Sequence, residues 1–330
     1  MAEGGEDRIK VTDDELKAQV QRLLRSGDVR HEKGSVTAGD ETVQYEICIV
    51  EAQADPAGEP DDGSPAGSAP VVIVPGHGQT ISGPRKLVAT AALLSTSKIA
   101  WCIDPVPSRG GDRTEAVAIA RATRQRLQAL GLPPRATLVG WSHGGAEALR
   151  AAAHDPELFP QYLGLCPTGL VDRRPLEMLA SFFLEVLRIL WRCLRRGAWS
   201  RAADTLRMGL NLFVGLGRDL WRGRSLRRLV EDVAWAACKV PGPEFEYSGE
   251  VVLLCGAQDT VVRWRDALPG CACPADVEGA LPAFQRDCFP RARRLELRVV
   301  EGDHVAPETD APAFLRLGLG LLGQLDDTIG

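Results

Sequence analysis

What this chain lacks narrows it first. No stretch approaches the roughly eighteen uninterrupted apolar residues that a membrane span needs. Phe182 to Trp191 comes nearest and is broken by Glu185 and Arg188, so no membrane span is expected. The opening residues, Met1-Ala2-Glu3-Gly4-Gly5-Glu6-Asp7, lack the basic and apolar regions of a secretory signal, and a cytoplasmic location follows as the expectation. There is no surplus of positive charge: the net charge is −5, which does not indicate nucleic acid as a partner. The nine cysteines are an odd number and scattered singly, apart from Cys271 and Cys273. That pair has no second pair to complete a zinc site, so neither a metal nor a disulfide framework is expected. Cys48, Cys102, Cys166 and Cys255 fall in predicted strands, where a thiol behaves as a small hydrophobe.

What is present supports one large core, or a core with an inserted subdomain: 330 residues, 45% of them hydrophobic. Thr12-Asp13-Asp14-Glu15 has the form of a capping box, followed by Leu16, Val20, Leu23 and Leu24 at helical spacing and a stop at Gly27. Residues 1–27 therefore read as an N-terminal helix. Residues 28–51 alternate as two antiparallel strands. Residues 52–70 hold four prolines and three glycines and little to bury, the composition of a solvated, flexible loop between two strands. Strands and helices then alternate to about residue 170, the pattern of a mostly parallel sheet covered on both faces.

Gly140-Trp141-Ser142-His143-Gly144-Gly145 is the most informative stretch. It follows the apolar run Ala136-Thr137-Leu138-Val139 and precedes a helix-forming run from Ala146. A serine between glycines, at a sharp turn from strand to helix, is the context of a G-x-S-x-G nucleophile elbow. The strained turn lifts the hydroxyl clear, and the helix behind it points N–H groups at any developing negative charge. Downstream, Val251 to Cys255 reads as a buried strand that runs into Gly256-Ala257-Gln258-Asp259. Leu295 to Val300 reads as the last strand and runs into Glu301-Gly302-Asp303-His304. Asp172 and Asp303 compete with Asp259 for the acid role. Asp303 would have to bend back on its own neighbour, and Asp172 is less well placed after its strand. Upstream, Val71 to Val74 leads into Pro75-Gly76-His77-Gly78-Gln79, and the strand Ile99 to Ile103 leads into Asp104-Pro105-Val106-Pro107-Ser108-Arg109-Gly110-Gly111.

In these motifs and their order, Ser142, Asp259, then His304, the chain resembles the α/β-hydrolase superfamily over roughly residues 70–170 and 248–325. The resemblance implies an α/β-hydrolase fold in two core parts, 28–170 and 248–330, with an all-helical cap inserted at 171–247. It implies Ser142 as nucleophile, His304 as base and Asp259 as the orienting acid, with backbone N–H groups of Gln79 and His143 forming the oxyanion hole. Trp141 beside the nucleophile and His77 in the upstream loop are candidates for the substrate pocket, His77 having a structural turn role as its alternative. The expected activity is hydrolysis of a carboxylic ester or thioester through an acyl-enzyme, without metal or cofactor. The alternative is an acyltransferase or a non-hydrolytic ligand-binding member of the fold. No aspartate stands at the nucleophile position, which disfavours epoxide hydrolase and dehalogenase chemistry.

The inserted region has its own character. Between Val171 and Val240 stand thirteen Arg and one Lys against seven Asp or Glu, a net of +7, which leaves −12 for the rest. Leu176, Leu179, Phe183, Leu187 and Leu190 fall on one helical stripe, the pattern of a face that packs. Further helices are predicted near 202–214 and 225–239. The positive charge reads either as a solvated outer face or as a docking face for an anionic group: a coenzyme A or phosphopantetheine thioester, an acyl carrier protein or an anionic membrane surface. Arg188, Arg192, Arg195 and Arg196 would form its centre. Trp191, Trp199, Trp221 and Trp235 read equally as buried core or as an interface, so the oligomeric state is open.

Overall fold

The computed structural model describes residues 12–26, 28–52, 69–76, 85–105, 112–199, 202–203, 205–206, 210, 234 and 237–326. The chain opens with α1 (Asp13–Ser26), and the capping box is formed: the Thr12 amide donates to Glu15 Oε2 at 2.8 Å and the Glu15 amide to Thr12 Oγ1 at 3.3 Å. The long strands β1 (Val29–Ala38) and β2 (Glu41–Glu51) pair antiparallel from Val29 opposite Val50 to Ala38 opposite Glu41. Alternation then begins: β3 (Val71–Val74), α2 (Arg85–Leu94), β4 (Ile99–Pro105), α3 (Asp112–Ala129), β5 (Thr137–Trp141), α4 (His143–His154) and β6 (Gln161–Leu165). After α5 (Pro175–Arg196) come β7 (Glu250–Gly256), α6 (Val277–Cys288), β8 (Arg294–Val300) and α7 (Ala311–Leu321).

The eight strands form one sheet in the order β1-β2-β4-β3-β5-β6-β7-β8. β2 meets β4 antiparallel, and from β4 to β8 every pairing is parallel. Parallel strands are buried on both faces and need no polar side. All four residues of Val71–Val74 and all five of Thr137–Trp141 are accordingly buried. Because side chains alternate along a strand, Val72, Val74 and Leu138 join a core with α3, α4 and α6, while Val71, Ile73 and Val139 join a second core with α1, α2 and α7. The chain leaves β3 to one side for β4 and returns to its other side for β5. The carboxyl ends of strands flanking such a reversal are where open α/β sheets hold ligands, and Ser142 follows directly on β5.

The inserted segment begins as expected with a helix. The ends of the insertion are pinned together where it leaves and rejoins the core: the Arg173 amide donates to the Ala237 carbonyl at 2.8 Å, the Lys239 amide to Asp172 Oδ1 at 2.8 Å and the Val240 amide to the Gly169 carbonyl at 2.7 Å. Asp172, the rival acid, is thus a tie at the base of this segment. One expectation needs correction. Leu176 and Leu187 of the predicted packing stripe are 78% and 62% exposed, and the inward face instead carries Glu185, Ile189 and Cys193. The apolar arc of this helix is wide, with Glu177, Ser181, Glu185, Arg188, Arg192, Arg195 and Arg196 gathered on the remaining arc, so periodicity alone could not select which edge of it is buried; the polar anchors described below select it. Most of the segments predicted as helices near 202–214 and 225–239, and most of the loop 52–70, lie outside the described residues. No helix among the described residues is long and apolar enough to cross a membrane.

Candidate active site

Ser142 stands at the junction of β5 and α4 with φ 53° and ψ −123°. Non-glycine residues hold such a conformation at a cost of about 1–3 kcal/mol, and only when their surroundings over-determine it. The surroundings do so here. The Ser142 amide donates to the Leu165 carbonyl at 3.1 Å, and the Ser142 carbonyl accepts from the Gly145 and Thr168 amides, each at 2.9 Å. The flanking glycines are required by close approach: a Cβ on Gly140 would stand 2.6 Å from the Gly145 Cα, and one on Gly144 would overlap the carbonyl oxygens of Val74 and Pro75.

The three predicted residues meet. Ser142 Oγ lies 2.8 Å from His304 Nε2, and His304 Nδ1 lies 2.9 Å from Asp259 Oδ2. They arrive from three strand ends: Ser142 after β5, Asp259 after β7 and His304 after β8. Asp259 is 4% exposed and His304 1% exposed. The other carboxylate oxygen of Asp259 accepts from the Val261 and Val262 amides, both at 2.8 Å, so the carboxylate cannot rotate without losing two hydrogen bonds. The acid and histidine loops are also laced to each other: the Gln258 amide donates to the Gly302 carbonyl at 2.9 Å, and the Gly302 amide to Gln258 Oε1 at 3.0 Å.

Burial works against a charged His304 ring, but the Asp259 charge and its hydrogen bond, with the nearby Glu185 and Asp303 carboxylates, outweigh it. The imidazole pKa is raised above its ordinary 6.5. Such a base binds a proton readily, as general-base work at a serine requires. Cys166, next to this centre in space, is no rival nucleophile: burial first, and then Asp259, push its thiol well above the usual range, and the thiolate is the reactive form.

Other expected residues divide. His143 is the first residue of α4, so its amide opens the helix beside Ser142, while its ring turns to its own helix, with Nε2 2.9 Å from Glu147 Oε1. Trp141 is 2% exposed, packs in the apolar core and donates its indole N–H to the His304 carbonyl at 3.4 Å; this contact braces the histidine loop from below. His77, Gln79 and the stretch 106–111 lie outside the described residues. Asp303, the third acid weighed, is 2% exposed and pairs with Arg192 of α5 at 3.2 Å. Arg192 reaches inward to this buried carboxylate with its side chain still 41% exposed, beside Arg188, Arg195 and Arg196, which are exposed.

Sequence reasoning missed Glu185. Buried to 1% exposure on α5, it accepts from the His304 amide at 2.6 Å and from the Thr260 amide at 2.5 Å, as well as from the Thr260 hydroxyl. Phe182, one turn earlier, sets its ring edge-on to His304 with 6.2 Å between centroids. The only trace in the sequence is a carboxylate inside the apolar run Phe182 to Trp191.

No family model matches the sequence, and none of the curated proteins compared with it does. Solved structures do match. A protein of Pseudomonas aeruginosa described as a probable hydrolytic enzyme is 18% identical, with a TM-score of 0.50 over 90% of this chain and 94% of its own. An alpha/beta hydrolase enzyme from a Medee basin deep-sea metagenome is 14% identical, with a TM-score of 0.50 over 89% of this chain and 98% of its own. An alpha/beta hydrolase fold protein from Chitinophaga pinensis is 12% identical, with a TM-score of 0.50 over 88% and 96%. The chain has the α/β-hydrolase fold. At these identities the likeness concerns the fold, and a shared fold hosts many reactions. The chemistry of an α/β-hydrolase fold must be argued from its own site.

Proposed function

We propose that this α/β-hydrolase-fold protein is a serine hydrolase that cleaves a carboxylic ester or thioester through an acyl-enzyme. The observation that supports it most is the hydrogen-bonded line Ser142–His304–Asp259, with distances of 2.8 and 2.9 Å, built on a strained serine. A serine hydroxyl is a poor nucleophile until a base within hydrogen-bond reach takes its proton.

In this reading Ser142 Oγ attacks the carbonyl carbon while its proton passes to His304 Nε2. Asp259 holds the tautomer with the proton on Nδ1 and stabilises the imidazolium that forms. The amide of His143 donates to the tetrahedral oxyanion, and Gln79 is assigned the second donor; one such donor contributes about 3–4 kcal/mol. Collapse of the intermediate breaks the bond to the leaving alcohol or thiol, which takes the proton from His304. Water then attacks the acyl-Ser142 ester, giving its proton to His304, and the second collapse returns that proton to Ser142 and frees the carboxylic acid.

The thioester sub-reading rests on the surface of α5. Arg188, Arg195 and Arg196 are exposed there, and the Arg195 guanidinium lies 5.6 Å from the centre of the Trp191 ring. Such a face suits a leaving group on an anionic carrier such as coenzyme A or an acyl carrier protein. A cytoplasmic location belongs to the same proposal. The test is hydrolysis of p-nitrophenyl acyl esters and of acyl-CoA thioesters of graded chain length, with the Ser142→Ala variant alongside. Turnover lost in the variant supports the reading, and turnover retained in it ends the reading. An added amine or alcohol acceptor in the same assay reports whether the acyl group goes to water or is transferred.

A further inference from the structure

Glu185 is an expensive residue to bury. A carboxylate taken out of water costs several kcal/mol unless donors surround it. Here the donors come from the two loops that carry the acid and the histidine. One oxygen accepts from the backbone N–H of His304 itself, and the other from the N–H and hydroxyl of Thr260, the residue after Asp259. Phe182, Glu185, Ile189 and Arg192 are spaced three or four apart, which puts them on one helix face. Of these, Phe182 meets the His304 ring and Arg192 pairs with Asp303, the residue before it. An inserted helix thus contacts both loops of the line on which the proton moves, and it does so mainly through one carboxylate.

We propose that Glu185 is a positioning residue for the reaction, a carboxylate supplied by the inserted helix that holds the Asp259 and His304 loops at their working separation and favours the imidazolium by its charge. The inference rests on the serine-hydrolase reading above. Three features carry it. Its hydrogen bonds run to main-chain groups of the loops, so they fix backbone position and leave the side chains of Asp259 and His304 to each other. Its charge lies close enough to the ring to raise the affinity of His304 for a proton, beside the larger effect of Asp259. Burial and the Asp259 charge lift Glu185's own pKa, while His304 and the donated hydrogen bonds pull against that lift. The charged groups facing it are Asp259 on the acid loop and Asp303 and His304 on the histidine loop, with Arg192 on its own helix partnered by Asp303.

A merely structural anchor and a positioning residue differ in what they do to the pH profile. Glu185→Gln keeps the shape, removes the charge, and turns an N–H2 group toward one of the two loop amides. The experiment follows the rate of labelling by a fluorophosphonate probe and the kcat and KM for a p-nitrophenyl ester between pH 5 and 9. In the folded variant, kcat is expected to fall ~10- to 100-fold, the loss typical of a misplaced catalytic group, with KM within about twofold of wild type. The acid limb of kcat/KM is expected to move to lower pH, because an imidazolium with one fewer carboxylate nearby loses its proton more easily. An unchanged profile, or a loss of rate at all pH values without movement of the limb, overturns the proposal. Where Glu185→Gln does not fold, Thr260→Val takes its place: a several-fold loss of kcat at constant KM supports the proposal, and wild-type kcat refutes it. Native protein that the probe does not label would instead sink the serine-hydrolase reading, so the two failures are distinct.

Discussion

Replacing Asp259 by asparagine exchanges an oxygen for an N–H2 group and should nearly abolish turnover. Asp259 Oδ1 accepts two backbone hydrogen bonds of 2.8 Å from Val261 and Val262, and Oδ2 faces His304 Nδ1 at 2.9 Å. An asparagine keeps its carbonyl oxygen toward the two amides, since turning it would leave two buried N–H groups facing a donor. Its N–H2 then points at Nδ1, which must become an acceptor. The ring proton moves to Nε2 and is directed at Ser142 Oγ, so the imidazole can no longer take the hydroxyl proton. The loss from this tautomer reversal is about 10⁴-fold in kcat, or ~5 kcal/mol of transition-state stabilisation. The fold should survive, because both backbone hydrogen bonds are kept and the third only reverses direction. Steady-state hydrolysis of a p-nitrophenyl ester by Asp259→Asn, with near-ultraviolet circular dichroism to check the fold, makes the test. A folded variant with kcat within about tenfold of wild type refutes the orienting role.

Three further outcomes follow from the same geometry. Gly144→Ala drives a Cβ into the Val74 and Pro75 carbonyls and is expected to lower stability by at least about 3 kcal/mol, read as a fall in the urea midpoint; a change under 1 kcal/mol would show that the elbow relaxes freely. Because the His304 pKa is raised and the base must be neutral to act, the acid limb of kcat/KM is expected above pH 6.5, with activity lost as the pH falls through it; a limb below that value contradicts the assigned balance of charges. Trp141→Phe removes the indole donor to the His304 carbonyl and shrinks a buried ring, and is expected to cost about 1–3 kcal/mol in thermal or urea unfolding; a neutral result would show that the brace is incidental.

The parts of the site legible in the sequence are those whose chemistry is written locally. Ser142 could be read because an apolar strand, two glycines and a helix-forming run are contiguous with it. Asp259 and His304 could be read because each stands within a few residues of an apolar strand in the right chain order. The sheet was legible for a related reason: strands buried on both faces appear as short continuous apolar runs, as at Val71–Val74 and Thr137–Trp141. Glu185 was not legible because its partners Thr260 and His304 lie 75 and 119 positions away, and a carboxylate in an apolar helix looks only like an interruption. The tie from Arg192 to Asp303 was not legible for the same reason, the two being 111 positions apart. Leu176 and Leu187 were read as a packing stripe because apolar periodicity reports that a face exists. It does not report which edge of a wide apolar arc meets the core when the deciding contacts are polar and remote.

The central claim is that Ser142 becomes covalently acylated, and intact-protein mass spectrometry tests it directly. Incubation with an activated acyl ester at low pH, where deacylation is slow, followed by peptide mapping, should show one acyl group per chain on the peptide holding Ser142 and none in Ser142→Ala. An adduct on any other residue, or turnover with no adduct on Ser142 under single-turnover conditions, would contradict it.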